Sequence, residues 1–273
     1  MSNPIDMHSI YKVVLASMEK ASEAIVEVYN HEIHTEIKDD GSPVTQADLA
    51  SSKILHAHLE CLNIPIMGEE VKNADYEVRK DWDYYWCIDP LDGTKEFIKK
   101  NGEFAINIAL IHKNRAVFGV ICSPLTKEVI IGGENFGVFT SNLDGVYNLK
   151  EISSQEERNK VLTLIISRSH FTGLAEEFVE DLETKYGKLS FLGKGSALKF
   201  FDLALGSADI YARFAPTMEW DIAAGHAILR QLGGEIFQYE TNAPLKYNKE
   251  NLVNPWFIAY TAPLLNDLKN AKN

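Results

Sequence analysis

With 273 residues, 45% of them hydrophobic and 24% charged, the chain falls in the globular class and is long enough for one large or two tightly joined α/β domains. A formal charge of −12, with no dense cluster of Lys and Arg, argues against a nucleic-acid polymer or a membrane surface as the partner. Cys61, Cys87 and Cys122 are widely spaced and form no CxxC pair, and neither a cationic leader nor a long apolar run is present, so reduced thiols in the cytoplasm are expected.

Apolar residues at Ile10, Val13, Val14, Ala21, Ile25 and Val28 recur at helical spacing and predict a first helix over 8–29. The polar segment "KDDGSP" breaks it from a second helix, which opens near Thr45 and runs through Ala50, Ile54, Leu55, Leu59 and Leu62. "IPIMGEE" reads as a short strand and loop. From Tyr84 the pattern becomes a meander of strands, "YYWCI", "AINIALI", "AVFGVIC", "EVIIGG" and "GVFTS". The polar stretch "LKEISSQEERNK" then separates an N-terminal α+β part, 1–150, from a C-terminal α/β part, 151–273. In the latter, strands "VLTLIIS", "LSFL", "ADIYARF", "GEIFQY" and "WFIAYT" alternate with helices over about 172–186, in "SALKFFDLAL" and in "DIAAGHAILRQL".

The chemistry concentrates at "DPLDGT", 89–94. Asp89 closes an apolar strand, and Pro90 biases it toward extended backbone. A turn through Leu91 brings Asp92 back beside Asp89, Gly93 permits close approach, and Thr94 can open a short helix whose free N–H groups suit a phosphate. Two carboxylates about 4 Å apart repel by roughly 4 kcal/mol at an effective dielectric near 20, which favours a bound cation. An all-oxygen donor set favours Mg²⁺. The same residues also spell an ordinary turn, since Asp-Pro and Asp-Gly are common turn dipeptides.

Together with "GEE" at 68–70 and "EWDIAAGHA" at 219–227, "DPLDGT" resembles the three motifs of the inositol monophosphatase superfamily, the Mg²⁺-dependent, lithium-sensitive phosphatases. Within it, "KDDGSPVTQAD" at 38–48, "DGTKEFIKKNGEF" at 92–104, "SRSH" at 167–170 and "YARFAPTMEWDIAAG" at 211–225 are most similar to the CysQ-type 3′(2′),5′-bisphosphate nucleotidases. Lys95-Glu96-Phe97 stands where inositol phosphatases usually carry an Asn-Phe pair.

The resemblance implies an α/β (α+β) fold, the layered α/β/α/β/α sandwich of that superfamily. It implies two or three Mg²⁺ ions held by Glu69, Asp89, Asp92, Asp221 and the Leu91 carbonyl, Glu69 being chosen over Glu70 because it holds the first Glu position of the motif. Asp48 and Thr94 resemble the pair that orients the attacking water, with Glu69 assisting, so that no phosphoenzyme is needed. Glu69, Leu91, Asp92, Gly93, Thr94 and Asp221 would surround the reacting phosphate, and His170, Ser196, Lys199 and Arg213 the nucleoside and its second phosphate. The implied reaction is hydrolysis of adenosine 3′,5′-bisphosphate to AMP and phosphate, with the sulfated precursor as a further substrate and a link to sulfur assimilation. The implied assembly is a monomer or homodimer. An inositol monophosphatase or fructose-1,6-bisphosphatase on the same fold is the alternative.

Each residue also has a plainer reading. Thr45 and Asp48 spell a capping box, Asp221 sits where an acid complements a helix dipole, and Glu70, Lys199 and Arg213 suit a solvated surface. Cys87 is a poor nucleophile candidate in its apolar run, and "GKGSALK" lacks the upstream glycine of a nucleotide-triphosphate loop.

Overall fold

The computed structural model describes residues 5–39, 41–166 and 173–270. Helix α1 (Met7–Tyr29) starts where the Asp6 carboxylate accepts from the His8 N–H at 3.0 Å, and buries Ile10, Val14, Met18, Ala21 and Ile25 along one face. A hairpin of β1 (Thr35–Ile37) and β2 (Pro43–Thr45) leads into α2 (Gln46–Leu59), β3 (Ile66–Gly68) and α3 (Tyr76–Arg79). Next come β4 (Tyr84–Asp92), the short α4 (Thr94–Ile98), β5 (Ala105–His112), β6 (Arg115–Cys122), β7 (Glu128–Gly133), β8 (Gly137–Asn142) and β9 (Lys150–Glu151). The chain continues through β10 (Thr163–Ile165), α5 (Leu174–Tyr186), β11 (Ser190–Leu192), α6 (Lys199–Ala204) and β12 (Ile210–Arg213). Helix α7 (Glu219–Gln231), β13 (Glu235–Gln238), β14 (Phe257–Tyr260) and α8 (Ala262–Asn270) complete it.

Two large sheets result. Strands β3 to β9 lie in sequential order in a seven-stranded sheet, antiparallel except for the β3–β4 pair, and the other sheet has the order β11-β10-β12-β14-β13. Three apolar cores separate the layers. One joins α1 and α2 to one face of the seven-stranded sheet, through Leu15, Leu55, Trp86 and Phe118. The middle core packs α6 and α7 between the two sheets, through Phe200, Ala224, Ile228 and Ala259. The third covers the outer face of the smaller sheet with α5 and α8, through Phe178, Leu182 and Leu264. The order is therefore α/β/α/β/α, the expected sandwich. The larger sheet is covered on both faces, which is why β4 to β7 read as nearly continuous apolar runs.

Helix α7 lies very close to the sheet it crosses. A Cβ placed on Gly119 of β6 would come within 2.2 Å of the Ala224 carbonyl oxygen, so only glycine fits there. The N-terminus of α7 is fixed by Glu219, whose fully buried carboxylate accepts from the backbone N–H of Asn248 at 2.7 Å and of Lys249 at 3.0 Å, and from Lys249 Nζ at 2.6 Å.

Several elements differ from the sequence expectation. Between the two helices lies the β1–β2 hairpin, whose strands, three residues each, are too short to show a period. Strand β4 does not end at Asp89 but reaches Asp92, with its register to β5 broken between the two; the local irregularity replaces the turn expected at Leu91. Helix α6 starts only at Lys199, because Ser196 adopts φ 48°, outside the right-handed helical region. Helix α8 has no counterpart in the sequence reading. Its three buried residues, Pro263, Leu264 and Leu265, are consecutive and give no helical stripe.

Candidate active site

The break in β4 builds the centre of the site. Asp89 is 1% exposed, and its Oδ1 accepts from the Leu91 N–H at 3.0 Å, which holds the irregular segment while leaving the other oxygen free. The Ser51 hydroxyl donates to the Pro90 carbonyl at 2.7 Å and ties the same segment to α2. Glu69 follows β3 on the neighbouring strand, and Asp221 arrives on the first turn of α7. Carboxylate oxygens of Glu69, Asp89 and Asp221 lie within 4.8 Å of one another. Burial and then the charges of Glu69, Asp92 and Asp221 push Asp89 well above the usual carboxylate range, and burial with the charge of Asp92 does the same to Asp221. Three converging, largely desolvated acids with oxygen donors alone fit a hard divalent cation, which would relieve that repulsion.

Asp92 is held differently. Its Oδ2 accepts from the Ala197 N–H at 2.5 Å and from Asn107 Nδ2 at 3.3 Å. Burial still raises its pKa to about 6, against the pull of Lys199 and of these two donors. Gly93, at φ 97°, caps α4, and an added Cβ would sit 3.1 Å from the Glu103 carbonyl oxygen.

Asp48 satisfies both of its sequence readings at once. One oxygen, Oδ2, accepts from the Thr45 N–H at 2.8 Å and from its hydroxyl at 2.6 Å, completing the capping box. The other, Oδ1, accepts from the Thr94 hydroxyl at 2.9 Å, with Leu91 O 3.5 Å from the same hydroxyl. Burial raises the Asp48 pKa, and the hydrogen bonds from Thr45 and Thr94 oppose the rise. Asp221 likewise serves as a cap, its Oδ2 accepting from the Met218 N–H at 2.8 Å.

Beside the carboxylates opens a cavity of about 160 Å³, lined by Asp92, Gly93, Ser196, Lys199, Arg213 and Asp221, all named from the sequence, and by Glu96, Tyr211 and Thr217, which were not. Lys199 is not a solvated surface residue. It is 7% exposed, donates to the Ser196 carbonyl at 2.9 Å, and is lowered by burial to a pKa of about 8, with Asp92 pulling the other way. Among the described residues Arg213 Nη2 makes one long contact, 3.4 Å to the Pro216 carbonyl, and its buried Nε has no partner. His170 lies outside the described residues.

Glu70 corrects the sequence reading. Its side chain is 8% exposed and pairs at 2.5 Å with Lys38, which also bridges to Glu69 at 2.8 Å. Burial alone would lower Lys38, yet its hydrogen bonds to Glu69 and Glu70 and their charges carry its pKa above the ordinary value. Lys38, Asn107 and the Ala197 N–H escape a sequence reading because they reach the site from 31, 15 and 105 residues away from the acids they serve. Cys87 is fully buried and its thiol is pushed up by that burial, which removes it as a nucleophile.

The profile of the inositol monophosphatase family matches residues 6–267 of this chain. The chain belongs to that family. Its members' fold accounts for the layer order, and the resemblance carried by "GEE", "DPLDGT" and "EWDIAAGHA" pointed to the same place. The 3′(2′),5′-bisphosphate nucleotidase CysQ of Salmonella typhimurium is 39% identical over 241 residues, covering 87% of this chain and 94% of that protein. The enzyme of the same name from Escherichia coli K12 is 38% identical over 242 residues, with the same coverage. Among solved structures, the crystal structure of CysQ from Bacteroides thetaiotaomicron, described as a bacterial member of the inositol monophosphatase family, superposes with a TM-score of 0.83 at 40% identity, covering 93% of this chain and 97% of that one. This member of the family is therefore a phosphatase of small phosphate esters, and its acidic cluster is suited to a metal ion. No helix among the described residues is long and apolar enough to cross a membrane.

Proposed function

We propose that the chain is a cytoplasmic 3′(2′),5′-bisphosphate nucleotidase of sulfur assimilation. It removes the 3′-phosphate from adenosine 3′,5′-bisphosphate, giving AMP and phosphate, and acts also on 3′-phosphoadenosine 5′-phosphosulfate. The observation that carries the reading is the adjacency of two unlike sites: a nest of acids, Glu69, Asp89 and Asp221, and a cavity whose cations are Lys199 and Arg213. A substrate with one phosphate to lose and another to be held fits that pair. In this reading residues 1–150 supply most of the reactive centre, and 151–273 supply Asp221 and the specificity residues.

Glu69, Asp89, Asp92, Asp221 and the Leu91 carbonyl would hold two or three Mg²⁺ ions, which supply Lewis-acid charge for the phosphoryl oxygens and the leaving oxygen and lower the pKa of the attacking water. Asp48 Oδ1 fixes the direction of the Thr94 O–H, so the hydroxyl's lone pairs are presented to a water that donates to Thr94 and attacks phosphorus in line. Asp48 keeps this role because its other oxygen is saturated by Thr45 and cannot turn away. The attack is direct. Glu69, held by Lys38, would assist from the metal side, while the backbone N–H groups following Asp92 would face the phosphate oxygens. Ser196, Lys199 and Arg213, with His170, bind the nucleoside and its 5′-phosphate, each charge-assisted contact contributing about 1.5 to 3 kcal/mol.

The test is phosphate release from adenosine 3′,5′-bisphosphate, inositol 1-phosphate and fructose 1,6-bisphosphate in parallel, with Mg²⁺, with EDTA and with added Li⁺. A Mg²⁺-dependent, Li⁺-inhibited preference for the nucleotide is expected. A preference for either sugar phosphate would keep the reactive centre and overturn the assignment of Lys199 and Arg213.

A further inference from the structure

One acid in the anion-binding cavity is not used by the chemistry above. Glu96 lines it together with Ser196, Lys199 and Arg213, is half-buried, and among the described residues its carboxylate takes part in no ion pair or hydrogen bond. Its charge is felt at Lys199, with no ion pair between the two among the described residues. A carboxylate repels a phosphate, so in a cavity for a phosphorylated ligand its partner must be a donor, an O–H or N–H of the substrate.

Position selects the donor. Glu96 is two residues beyond Thr94 on the first turn of α4, and residues two apart point to nearly opposite sides of a helix. Thr94 turns toward Asp48, and Glu96 turns toward the cavity. If the reacting phosphate sits at Asp92, Gly93 and Thr94, as the nucleotidase reading has it, a leaving group that extends into the cavity passes Glu96, which lines that cavity one helical turn or less from Gly93 along the chain. The substrate group nearest to the ester oxygen is the hydroxyl on the adjacent carbon.

We propose that Glu96 is a specificity residue that accepts a hydrogen bond from the free hydroxyl vicinal to the scissile phosphate, the ribose 2′-hydroxyl of a 3′-phosphate. The inference deepens the nucleotidase reading and rests on it. A site built around an acceptor for this hydroxyl rejects an analogue that lacks it, because the carboxylate is then desolvated without a partner. The enzyme would distinguish ribonucleotides from deoxyribonucleotides through this one side chain.

The experiment compares kcat and KM of the wild type, Glu96→Gln and Glu96→Ala on adenosine 3′,5′-bisphosphate and on its 2′-deoxy analogue, with Mg²⁺ present. The wild type should favour the ribonucleotide by about ten- to hundredfold in kcat/KM, the range of one hydrogen bond to a charged group. Glu96→Ala should lose most of that factor on the ribonucleotide and far less on the deoxy analogue, so that the ratio falls toward one. Glu96→Gln, whose amide oxygen still accepts, should keep an intermediate ratio. An equal fall on both substrates in both variants, or an unchanged ratio, would overturn the assignment. A wild type that hydrolyses neither nucleotide but does release phosphate from inositol 1-phosphate would show instead that the nucleotidase reading itself had failed, and the ribose assignment with it.

Discussion

The two walls of the candidate active site are built to different standards of completeness. On the wall formed by α2, β4 and α4, Asp48 accepts three hydrogen bonds, Asp89 is tied to Leu91, and the Pro90 carbonyl is tied to Ser51. On the opposite wall, formed by α6 and β12, Arg213 has a buried Nε without a partner among the described residues, and Lys199 leans on a single carbonyl. The first wall is preorganised before any ligand arrives. The second is left with donors to be satisfied by the substrate, as expected where reaction geometry must be fixed and recognition must be selective.

The contrast can be broken most forcefully at Asp89. Asp89→Asn should lower phosphate release by about 10³-fold or more while leaving the fold intact, since the amide relieves the repulsion among Glu69, Asp92 and Asp221. Unchanged turnover, read by phosphate release alongside circular dichroism, would sink the metal assignment. At Thr94, removal of the hydroxyl in Thr94→Ala should cost about 10²- to 10³-fold in kcat with little change in KM, and Thr94→Ser should restore most of it.

On the recognition wall the effects should be smaller and should fall on KM. Lys199→Ala should raise KM for the bisphosphate by about tenfold or more while changing hydrolysis of adenosine 3′-phosphate much less. In the wild type, kcat/KM for the bisphosphate should decline as pH rises through about 8, where Lys199 loses its charge, and Lys199→Arg should shift that decline upward.

The smallest effect is on stability and belongs to the reactive wall. Burial sets the folded pKa of Asp92 at about 6, above the ordinary 3.8. A carboxylate raised in this way adds stability that is complete below its unfolded pKa and is lost as pH climbs through the folded value. In EDTA, Tm should therefore fall by a few degrees between pH 5 and pH 7.5, and saturating Mg²⁺ should remove that decline. A decline that is the same with and without Mg²⁺ would separate it from these carboxylates.

Legibility follows the same division. Asp89, Asp92, Gly93 and Thr94 fall within six residues, so their nearness can be argued from the local sequence alone. The strands of the larger sheet announce themselves because burial on both faces leaves them almost purely apolar. Asn107 donates to Asp92 from the middle of β5, an element whose pattern says only that it is buried, and Lys38 comes from a hairpin too short to predict. Glu70 reads as a solvated residue, because charge is a good guide to exposure only until a partner such as Lys38 covers it. Lys199 and Arg213 stand out as cations, but their burial comes from the packing of α6 and β12 against the middle core, which no local pattern encodes.

The close seat of α7 on Gly119 bears on how the enzyme comes into being. Asp221 rides on a helix pressed between two sheets, and its partners Glu69 and Asp89 were synthesised more than 130 residues earlier. Closing a loop of such length costs more chain entropy than a local contact does. Until the second sheet and the 246–254 return have closed over α7 and locked Glu219, the acids that share the cluster are not assembled. A chain in which α7 has not docked on β6 therefore lacks Asp221, the third carboxylate of the cluster.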